Sequence, residues 1–292
     1  MPLRFEPIQL DRQKEYREKL AQCDQIASDY SFINLWGWGE EYGLTWAWDN
    51  GLVWIRQENP QPALWAPVGD WQEVEWPSML KSLRSEAEHM IRVPEKLLHL
   101  MAGGLDGDIQ SDESREHWDY LYNRQELTEL KGNRFHKKKN LLNQFIKNYE
   151  YTYIGFGSAM IEQALNMQED WCTWRDCEND DTLVAENNAI SRVLYGWRKL
   201  DGITGGALLV DQIIMAYTIA ETMPDKSIII HFEKACPDHK GSYQAINQIF
   251  LANAPEEYTI VNREQDLGDE GLRKAKLSYH PMDYIKKYQV KV

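Results

Sequence analysis

The sequence predicts an α+β (mixed α/β) fold, and three observations support this prediction. Ser227–Glu233 and Tyr258–Asn262 have strand composition, and the helix predicted between them is long enough to let the two strands run parallel. Apolar residues between 141 and 149 recur with helical spacing. The 292 residues, of which 43% are hydrophobic, suffice for about two domains with cores of their own. We place these domains at residues 1–130 and 131–292.

The first half is rich in tryptophan. Nine of the twelve tryptophans precede residue 130, namely Trp36, Trp38, Trp46, Trp48, Trp54, Trp65, Trp71, Trp76 and Trp118. In chain order we predict a helix over Asp11–Gln22, a hairpin of Leu44–Trp48 and Leu52–Arg56, a helix from Pro77 and a loop over Gly103–Glu116. The Asp-Asn-Gly sequence at 49–51 tolerates the positive φ of a tight hairpin turn. Proline suits a first helical position.

The second half shows clearer periodicity. The predicted elements are an amphipathic helix through residue 149, a strand over Tyr151–Phe156, a helix over Thr182–Leu200, a hairpin of Ala207–Val210 and Ile213–Ala220, the strand-helix-strand unit with its helix at Gly241–Ala254, a helix over Asp269–Leu277 and a terminal strand. Each assignment depends on a period of 3.6 for helices or of 2 for strands.

The charge distribution indicates a localised anionic partner. The net charge is −14, which disfavours a protein that coats DNA. Yet residues 131–149 hold six Lys or Arg and no acid, and residues 271–292 hold six against one Asp. Such basic patches on an acidic chain favour a phosphorylated partner, either an RNA or a nucleotide, or an anionic lipid head group.

The sequence disfavours several other classes of protein. The N-terminus lacks an apolar signal core, and Asp211 interrupts the longest apolar stretch, so we expect a cytoplasmic protein without a membrane span. The cysteines at 23, 172, 177 and 236 lack metal-ligand spacing and are expected to be reduced. The loop motifs of P-loop kinases and dehydrogenases, and those of zinc proteases and α/β-hydrolases, are absent.

The strand-helix-strand unit predicts a site at one sheet edge. The carboxyl ends of two parallel strands meet there with a helix N-terminus, where anions bind in open α/β sheets. The residues that this places together are His231, Glu233, Lys234, Asp238–Ser242, Asn262, Arg263 and Glu264. Tyr243, the next residue of the helix, is a further candidate for donor or anion binding. The sequence Tyr279-His280-Pro281 either reaches the same edge or simply ends a helix before proline.

Strand alternation sets His231 and Glu233 on one face, where they could share a proton-transfer task. The alternative is that strand ends are often polar and that Glu233 only pairs with a cation. Likewise, Arg263 either holds a phosphate or carboxylate through two hydrogen bonds or belongs to a solvated turn.

A second candidate feature is the basic helix that begins at Arg134-Phe135-His136-Lys137-Lys138-Lys139. A charge run of this kind is commonly a solvated helix face. In a chain that is otherwise acidic, it also fits a surface for a phosphate-bearing ligand.

Several segments, taken together, resemble a known family. They are Trp118–Tyr122, Leu130–Asn140, His231–Ala235, Gly241–Asn247, Asn262–Asp266 and Gly271–Pro281, with Ser28–Leu35 as an N-terminal signature. In order and composition these segments resemble a bacterial family related to the C-terminal domain of phosphatidylglycerol lysyltransferase.

The resemblance implies two tandem GNAT-like domains, as in the Fem peptidyltransferases, each a mixed, mostly antiparallel sheet with a splayed parallel strand pair and flanking helices. It also implies a donor at that strand pair and, from the lysyltransferases, an aminoacyl group carried by charged tRNA. The sequence departs from the glycine motif of acyl-CoA enzymes. Aligned on Gly241, it has Asp238 where a base is usual and Tyr243 where a small residue is usual, which disfavours the usual mode of coenzyme A binding.

Two functions from different classes follow. The first is an acyltransferase or aminoacyltransferase that acts on the amine or hydroxyl of a small-molecule or peptide acceptor. In it Glu233 or His231 removes a proton, while Arg263 and Lys234 hold anionic groups and the N–H groups of Gly241 and Ser242 stabilise an oxyanion. Its donor is acyl-CoA, an acyl-nucleotide or charged tRNA, steered by Arg134, Lys137, Lys138 and Lys139, and no metal is expected.

The second function is a non-catalytic module of the same fold that binds RNA, a nucleotide or another anion. A third option, an interaction protein, would require the tryptophans of the first half to be exposed.

Overall fold

The structure is a computed structural model that describes residues 3–103 and 109–292. By its packing the chain divides into two units. The first comprises Met1–Asp119, Gln265–Asp269 and Tyr284–Val292, and the second comprises Tyr120–Glu264 and Glu270–Asp283. The domain limits 1–130 and 131–292 stay a prediction, and we describe the molecule by these two units.

The first unit is built around one mixed sheet. Within the described residues its strands are β1 (Glu6–Pro7), β2 (Thr45–Asp49), β3 (Leu52–Gln57), β4 (Ala63–Trp65), β5 (His89–Pro94), β6 (Ser111–Glu113) and the C-terminal β14 (Lys287–Lys291), in the order β1-β2-β3-β4-β5-β14-β6. Its helices are α1 (Gln13–Leu20), α2 (Phe32–Gly37), α3 (Trp76–Leu83) and α4 (Glu95–Gly103). Strands β4 and β5 are parallel, and the other pairs for which the register is known are antiparallel.

The predicted elements of this half are mostly confirmed. The β2–β3 hairpin turns at Asn50 and Gly51, whose φ angles are 50° and 78°, and α3 carries its proline in the first turn. The loop prediction for 103–116 is wrong at β6, because Ser111–Glu113 pairs with the distant β14, a partner that local composition does not reveal. Residues 104–108 of that prediction lie outside the described residues.

Tryptophans form much of the first unit's core. Trp46, Trp54, Trp65, Trp71 and Trp76 are each at most 4% exposed, and the other four of this half are partly buried. The interaction-protein option, which required exposed tryptophans, therefore loses its support.

A buried charge cluster fixes the C-terminal strand in the first unit. Lys287 on β14 has no exposed side-chain surface and forms ion pairs with Asp29 and Asp119. Asp119 also accepts hydrogen bonds from the backbone N–H and the hydroxyl of Ser28, at 2.7 and 2.8 Å. Burial raises the pKa of Asp29, but the charges of Lys287 and Arg92 lower it by more, so this pKa lies well below its usual range.

We predict that Lys287→Met destabilises the protein by about 3–5 kcal/mol, because two buried carboxylates lose their shared cation. Lys286→Met, which removes a half-exposed lysine from the neighbouring position, should have a much smaller effect. Both are measured by urea unfolding. Because the wild-type pKa of Asp29 is depressed, its stabilising contribution is lost as the pH falls below 3.8, and the deficit of the variant should shrink there. Equal effects of the two variants would contradict the cluster's role.

The second unit is built around another seven-stranded sheet of the described residues. Its strands are β7 (Asp119–Asn123), β8 (Tyr151–Gly155), β9 (Ile203–Val210), β10 (Ile213–Thr222), β11 (Ser227–Ala235), β12 (Ile260–Asn262) and β13 (Asp283–Ile285), in the order β13-β7-β12-β11-β10-β9-β8. Its helices are α5 (Arg124–Glu129), α6 (His136–Asn148), α7 (Ile161–Arg175), α8 (Asp181–Gly196), α9 (Ser242–Asn253) and α10 (Glu270–Leu277). With the first sheet, this confirms the predicted α+β class of two mixed sheets.

The predicted strand-helix-strand unit is confirmed as β11, α9 and β12. The two strands are parallel, with Ser227 opposite Ile260 and Ile229 opposite Asn262. Their pairing ends there, while β11 continues to Ala235. Beyond Ile229 and Asn262 the two strands therefore separate, as the splayed pair of the prediction requires.

The cysteine prediction is wrong for one pair. Cys172 and Cys177 form a disulfide, with Cα atoms 5.0 Å apart. Helix α7 ends at Arg175, and Asp176 turns the chain back in the left-handed conformation, which brings Cys177 against the last turn. The sequence spacing alone does not reveal this reversal. Cys23 and Cys236 are not disulfide-bonded.

Helix α6 packs closely against the start of α9. Gly241 precedes α9 with φ 90°, and a Cβ at this position would lie 2.1 Å from the carbonyl oxygen of Leu141. Only glycine fits such an approach of two backbones. The N-terminus of α9 thus packs directly on α6.

We predict that Gly241→Ala is much more destabilising than Gly132→Ala. Gly132 has a similar φ of 86° but nothing within 4 Å of its virtual Cβ, so its substitution measures the backbone strain alone, about 1–2 kcal/mol. At Gly241 the clash should add at least about 2 kcal/mol. Urea unfolding of both variants checks this, and similar costs would show that α6 does not approach α9 so closely.

Candidate functional site

Charged side chains bridge the separation of β11 and β12. From β11, Glu233 pairs with Arg263, which directly follows β12, and His231 pairs with Glu264. Lys138 of α6 and Tyr279, just after α10, complete the first of these groups. We call Lys138, Glu233, Arg263 and Tyr279 the strand-separation site.

Glu233 is held by two donors. Its Oε1 accepts a hydrogen bond from Nη2 of Arg263 at 3.1 Å, and its Oε2 accepts one from Nδ2 of Asn247 on α9 at 3.0 Å. Its side chain is 9% exposed. A carboxylate oxygen has two lone pairs, so each oxygen can still accept a proton from a third group.

Arg263 lies among aromatic rings. Its guanidinium carbon is 4.8 Å from the ring centre of Tyr279 and 5.9 Å from that of Tyr122. Burial by itself lowers the pKa of Arg263, but the charge of Glu233 raises it above the usual value. Nη1 of Arg263 is buried and has no hydrogen-bond partner among the described residues.

Lys138 points toward this site, unlike its neighbours. Its Nζ lies 4.0 Å from the centre of the Tyr279 ring, whereas Lys137 and Lys139 are exposed. Burial, and then the positive charge of Arg263, lower the pKa of Lys138 to about 8, although Glu233 acts in the opposite direction. An appreciable fraction of this amine is therefore neutral near pH 8.

His231 lies apart from Glu233 in its contacts. The register of β10 and β11 shifts so that Ile219 is opposite Phe232 and Ala220 is opposite Ile230, which leaves His231 as the extra residue of a β-bulge. Its Nδ1 is 2.8 Å from Oε1 of Glu264, and its Nε2 is 3.5 Å from Oε2 of Glu221.

Burial lowers the pKa of His231, but the two carboxylates raise it by more, to about 9. The imidazole is thus protonated at neutral pH, and its side chain has no exposed surface. In this geometry His231 pairs two carboxylates and shares no partner with Glu233.

Lys234 belongs to a different cluster. Its Nζ donates to Oε2 of Glu186 at 2.7 Å and lies 3.5 Å from the centre of the Trp171 ring. Nε1 of Trp171 in turn donates to the hydroxyl of Tyr243 at 3.0 Å. Burial lowers the pKa of Lys234, and Glu186 compensates only in part. The structure therefore gives Lys234 and Tyr243 partners within the protein.

The remaining residues of the predicted edge have structural contacts. The Ser242 N–H donates to the carbonyl of His239, and its hydroxyl donates to that of Cys236. Asn262 is buried, and its Oδ1 accepts a hydrogen bond from the Glu264 N–H at 2.8 Å. Gly241 is packed on α6, and the Ser242 N–H is already bonded to a carbonyl of the protein.

Arg134 is also separate from the site. Its guanidinium pairs with Glu126 on α5, and its carbonyl lies 3.1 Å from Nε2 of His280. Of the four basic residues singled out on this segment, the structure brings Lys138 alone to Glu233 and Arg263.

Sequence reasoning missed Asn247, Trp171, Glu186 and Glu221. A signal existed for Asn247, because it lies one helical turn after Tyr243 on α9. The other three reach the site region from α7, α8 and β10, and only the tertiary fold brings them there.

No helix among the residues that the structure describes is both long and apolar enough to cross a lipid bilayer.

Comparison with known structures confirms the architecture. A conserved protein of unknown function from Bacteroides thetaiotaomicron VPI-5482 shares 29% identity, covers 100% of both chains and has a TM-score of 0.90. L-PGS from Bacillus licheniformis shares 12% identity, covers 100% of this chain and 94% of its own, and has a TM-score of 0.68. FemX shares 7% identity, covers 99% of this chain and 98% of its own, and has a TM-score of 0.62. At 12% and 7% identity these likenesses show the fold alone, and they confirm the predicted Fem-like fold with its two mixed sheets.

Sequence comparison agrees. An uncharacterised protein of Mycoplasmoides gallisepticum is 29% identical over 180 residues, which are 59% of this chain and 56% of that protein, so the chain spans about half the length of this curated relative. Residues 20–291 match the family described as phosphatidylglycerol lysyltransferase, C-terminal. Because this match extends over most of its length, the chain belongs to the family of the phosphatidylglycerol lysyltransferase C-terminal domain.

Proposed function

We propose that the protein is an aminoacyltransferase or acyltransferase, which moves the acyl group of an anionic donor to the amine or hydroxyl of a small-molecule or peptide acceptor. Its membership in a lysyltransferase family and the fold shared with L-PGS and FemX support this class of reaction. The resemblance favours charged tRNA as the donor, and we place the reaction in the cytoplasm, where charged tRNA is available.

The observation that carries the proposal is the position of Glu233. Its carboxylate lies where the parallel strands separate, is oriented from two sides by Arg263 and Asn247, and retains some exposure. We assign it the role of general base. It would take the proton of the acceptor's nucleophilic nitrogen or oxygen as this atom attacks the ester carbonyl. The bond between that carbonyl and the 3′-oxygen of the tRNA then breaks, and the proton passes from Glu233 to this leaving oxygen. His231 lacks exposed surface, so the geometry favours Glu233 over His231 for this role.

The donor is argued from α6 and α9. Lys137 and Lys139 are exposed and present positive charge beside the site, which would attract the phosphate groups of the donor. The start of α9, where acyl-CoA enzymes bind a pyrophosphate, is instead packed on Leu141, and the Ser242 N–H is occupied by His239. These contacts support charged tRNA, or an acyl-nucleotide, over acyl-CoA.

We predict that Glu233→Gln lowers transfer by at least about 100-fold, because the acceptor loses its base. The assay incubates the protein with a mixture of aminoacylated tRNAs and hydroxylamine as a small acceptor, and measures the aminoacyl hydroxamates formed. Glu257→Gln is the matched control, since it removes the same charge from an exposed loop after α9, and it should keep wild-type rates. The unfolding midpoint of each variant establishes that it is folded. A folded Glu233→Gln protein with wild-type turnover would exclude Glu233 as the base.

A non-catalytic binding module is the second candidate, and the pairing of Glu233 with Arg263 favours it, because that ion pair satisfies both charges internally. In that case no tRNA is deacylated by any variant. Binding of tRNA would nevertheless weaken log-linearly with added salt.

A further inference from the structure

We infer that Lys138, Arg263 and Tyr279 form a binding site for one compact oxyanion, and that its natural occupant is a phosphate group of a substrate. The inference deepens the proposed function by naming the chemical group bound beside Glu233, and it rests on that function for the identity of the substrate. Its test needs only a free anion and no turnover.

Two cations converge on one aromatic ring. The Nζ of Lys138 lies 4.0 Å from the Tyr279 ring centre, and the guanidinium carbon of Arg263 lies 4.8 Å from it. They come from different elements, α6 and the segment after β12, so the fold itself brings the like charges together. Tyr279 is 6% exposed, and its ring contacts both cations.

The local charges do not balance. Glu233 supplies one negative charge against two positive ones, and its oxygens already accept hydrogen bonds from Arg263 and Asn247. Among the residues that the structure describes, Lys138 makes neither a hydrogen bond nor an ion pair, and Nη1 of Arg263 is a buried donor without an acceptor. Nη1 of Arg263 is costly to leave unsatisfied because it is buried, whereas Lys138 is half-buried, and an oxyanion would give both groups an acceptor.

The titration of Lys138 agrees with this geometry. Burial, followed by repulsion from Arg263, depresses its pKa to about 8. The charged and titratable groups that act on it are Arg263, Glu233 and the ring of Tyr279. An anion between the two cations would favour the ammonium form, so binding and protonation of Lys138 should be coupled.

The chemistry favours phosphate. A guanidinium donates to oxyanions in a planar fork, and an ammonium adds a compact charge, a combination that suits the tetrahedral oxygens of phosphate or sulfate. Lys137 and Lys139, exposed on the same helix, add positive charge outside the site. A carboxylate could use the same donors, and the experiment distinguishes the two.

The experiment titrates the full chain with sulfate, inorganic phosphate and acetate by isothermal calorimetry at constant ionic strength. We expect sulfate and phosphate to bind more tightly than acetate. Lys138→Gln should weaken sulfate binding by about tenfold or more, because it removes one of two charge-assisted contacts. Lys147→Gln, which removes an exposed lysine at the far end of the same helix, should stay within about twofold of wild type.

Sulfate keeps its charge over the range used, so its pH dependence reports the protein. Between about pH 7 and 9.5 wild-type affinity should fall as the Lys138 ammonium with its pKa of about 8 is lost, and Lys138→Gln should show little of this fall.

The absence of sulfate and phosphate binding at millimolar concentration, or equal losses in Lys138→Gln and Lys147→Gln, would overturn the inference. Tighter binding of acetate than of sulfate would overturn the assignment to phosphate. Anion binding without acyl transfer would leave this site intact and refute only the proposed reaction.

Discussion

The ion pair between Glu233 and Arg263 spans the opening left where β11 and β12 separate. Parallel strands that part in mid-sheet leave backbone groups and side chains without their ladder partners. Here the opening is filled by a carboxylate from the longer strand and a guanidinium from the loop after the shorter one. Asn247, Tyr279 and Lys138 then arrange themselves around this pair. The position of α6 against the start of α9, which needs glycine at 241, brings Lys138 within reach. The chemistry that we propose therefore depends on the ion pair that links the two strands where they separate.

The first unit contains a comparable arrangement. Its parallel pair, β4 and β5, is in register up to Trp65 and Ile91, and Arg92 follows at once, as Arg263 follows Asn262 in the second unit. Arg92 pairs with Asp29 at 3.4 Å and lies 5.5 Å from the ring centre of Trp65. In the first unit, however, the surrounding charges are buried and matched, since Lys287 faces both Asp29 and Asp119. In the first unit Arg92 thus belongs to a buried cluster of matched charges, while the second unit retains an unmatched cation and a partly exposed carboxylate. This difference is why we place the reaction in the second unit.

The sequence predicted which residues lie at the sheet edge of the second unit, but not which side chains contact one another there. Strand and helix periodicity located β11, α9 and β12, and so brought Glu233, Asn262 and Arg263 to one place. The helical phase of α6 also held information, because Lys138 shares a face with Phe135, Leu142 and Phe145, which are all buried. The β-bulge at His231 could not be predicted, because it depends on the register with β10. Simple alternation therefore placed His231 and Glu233 on the same face of the strand. The sequence predicted that Lys234 binds an anion, but in the structure its partners are Trp171 of α7 and Glu186 of α8. Long-range partners of this kind are set by tertiary packing, and no local pattern records them.

The central claim is that the reacting acyl group lies beside Glu233, where the strands of the second unit separate. The most direct measurement is a crystal structure with a non-hydrolysable aminoacyl-tRNA analogue, an acceptor-stem hairpin whose amino acid is joined to the 3′ end through an amide. We expect its amide within about 3–4 Å of a Glu233 oxygen, with a phosphate between Lys138 and Arg263. An aminoacyl end bound elsewhere on the protein, with Glu233 and Arg263 still paired and untouched, would contradict the account.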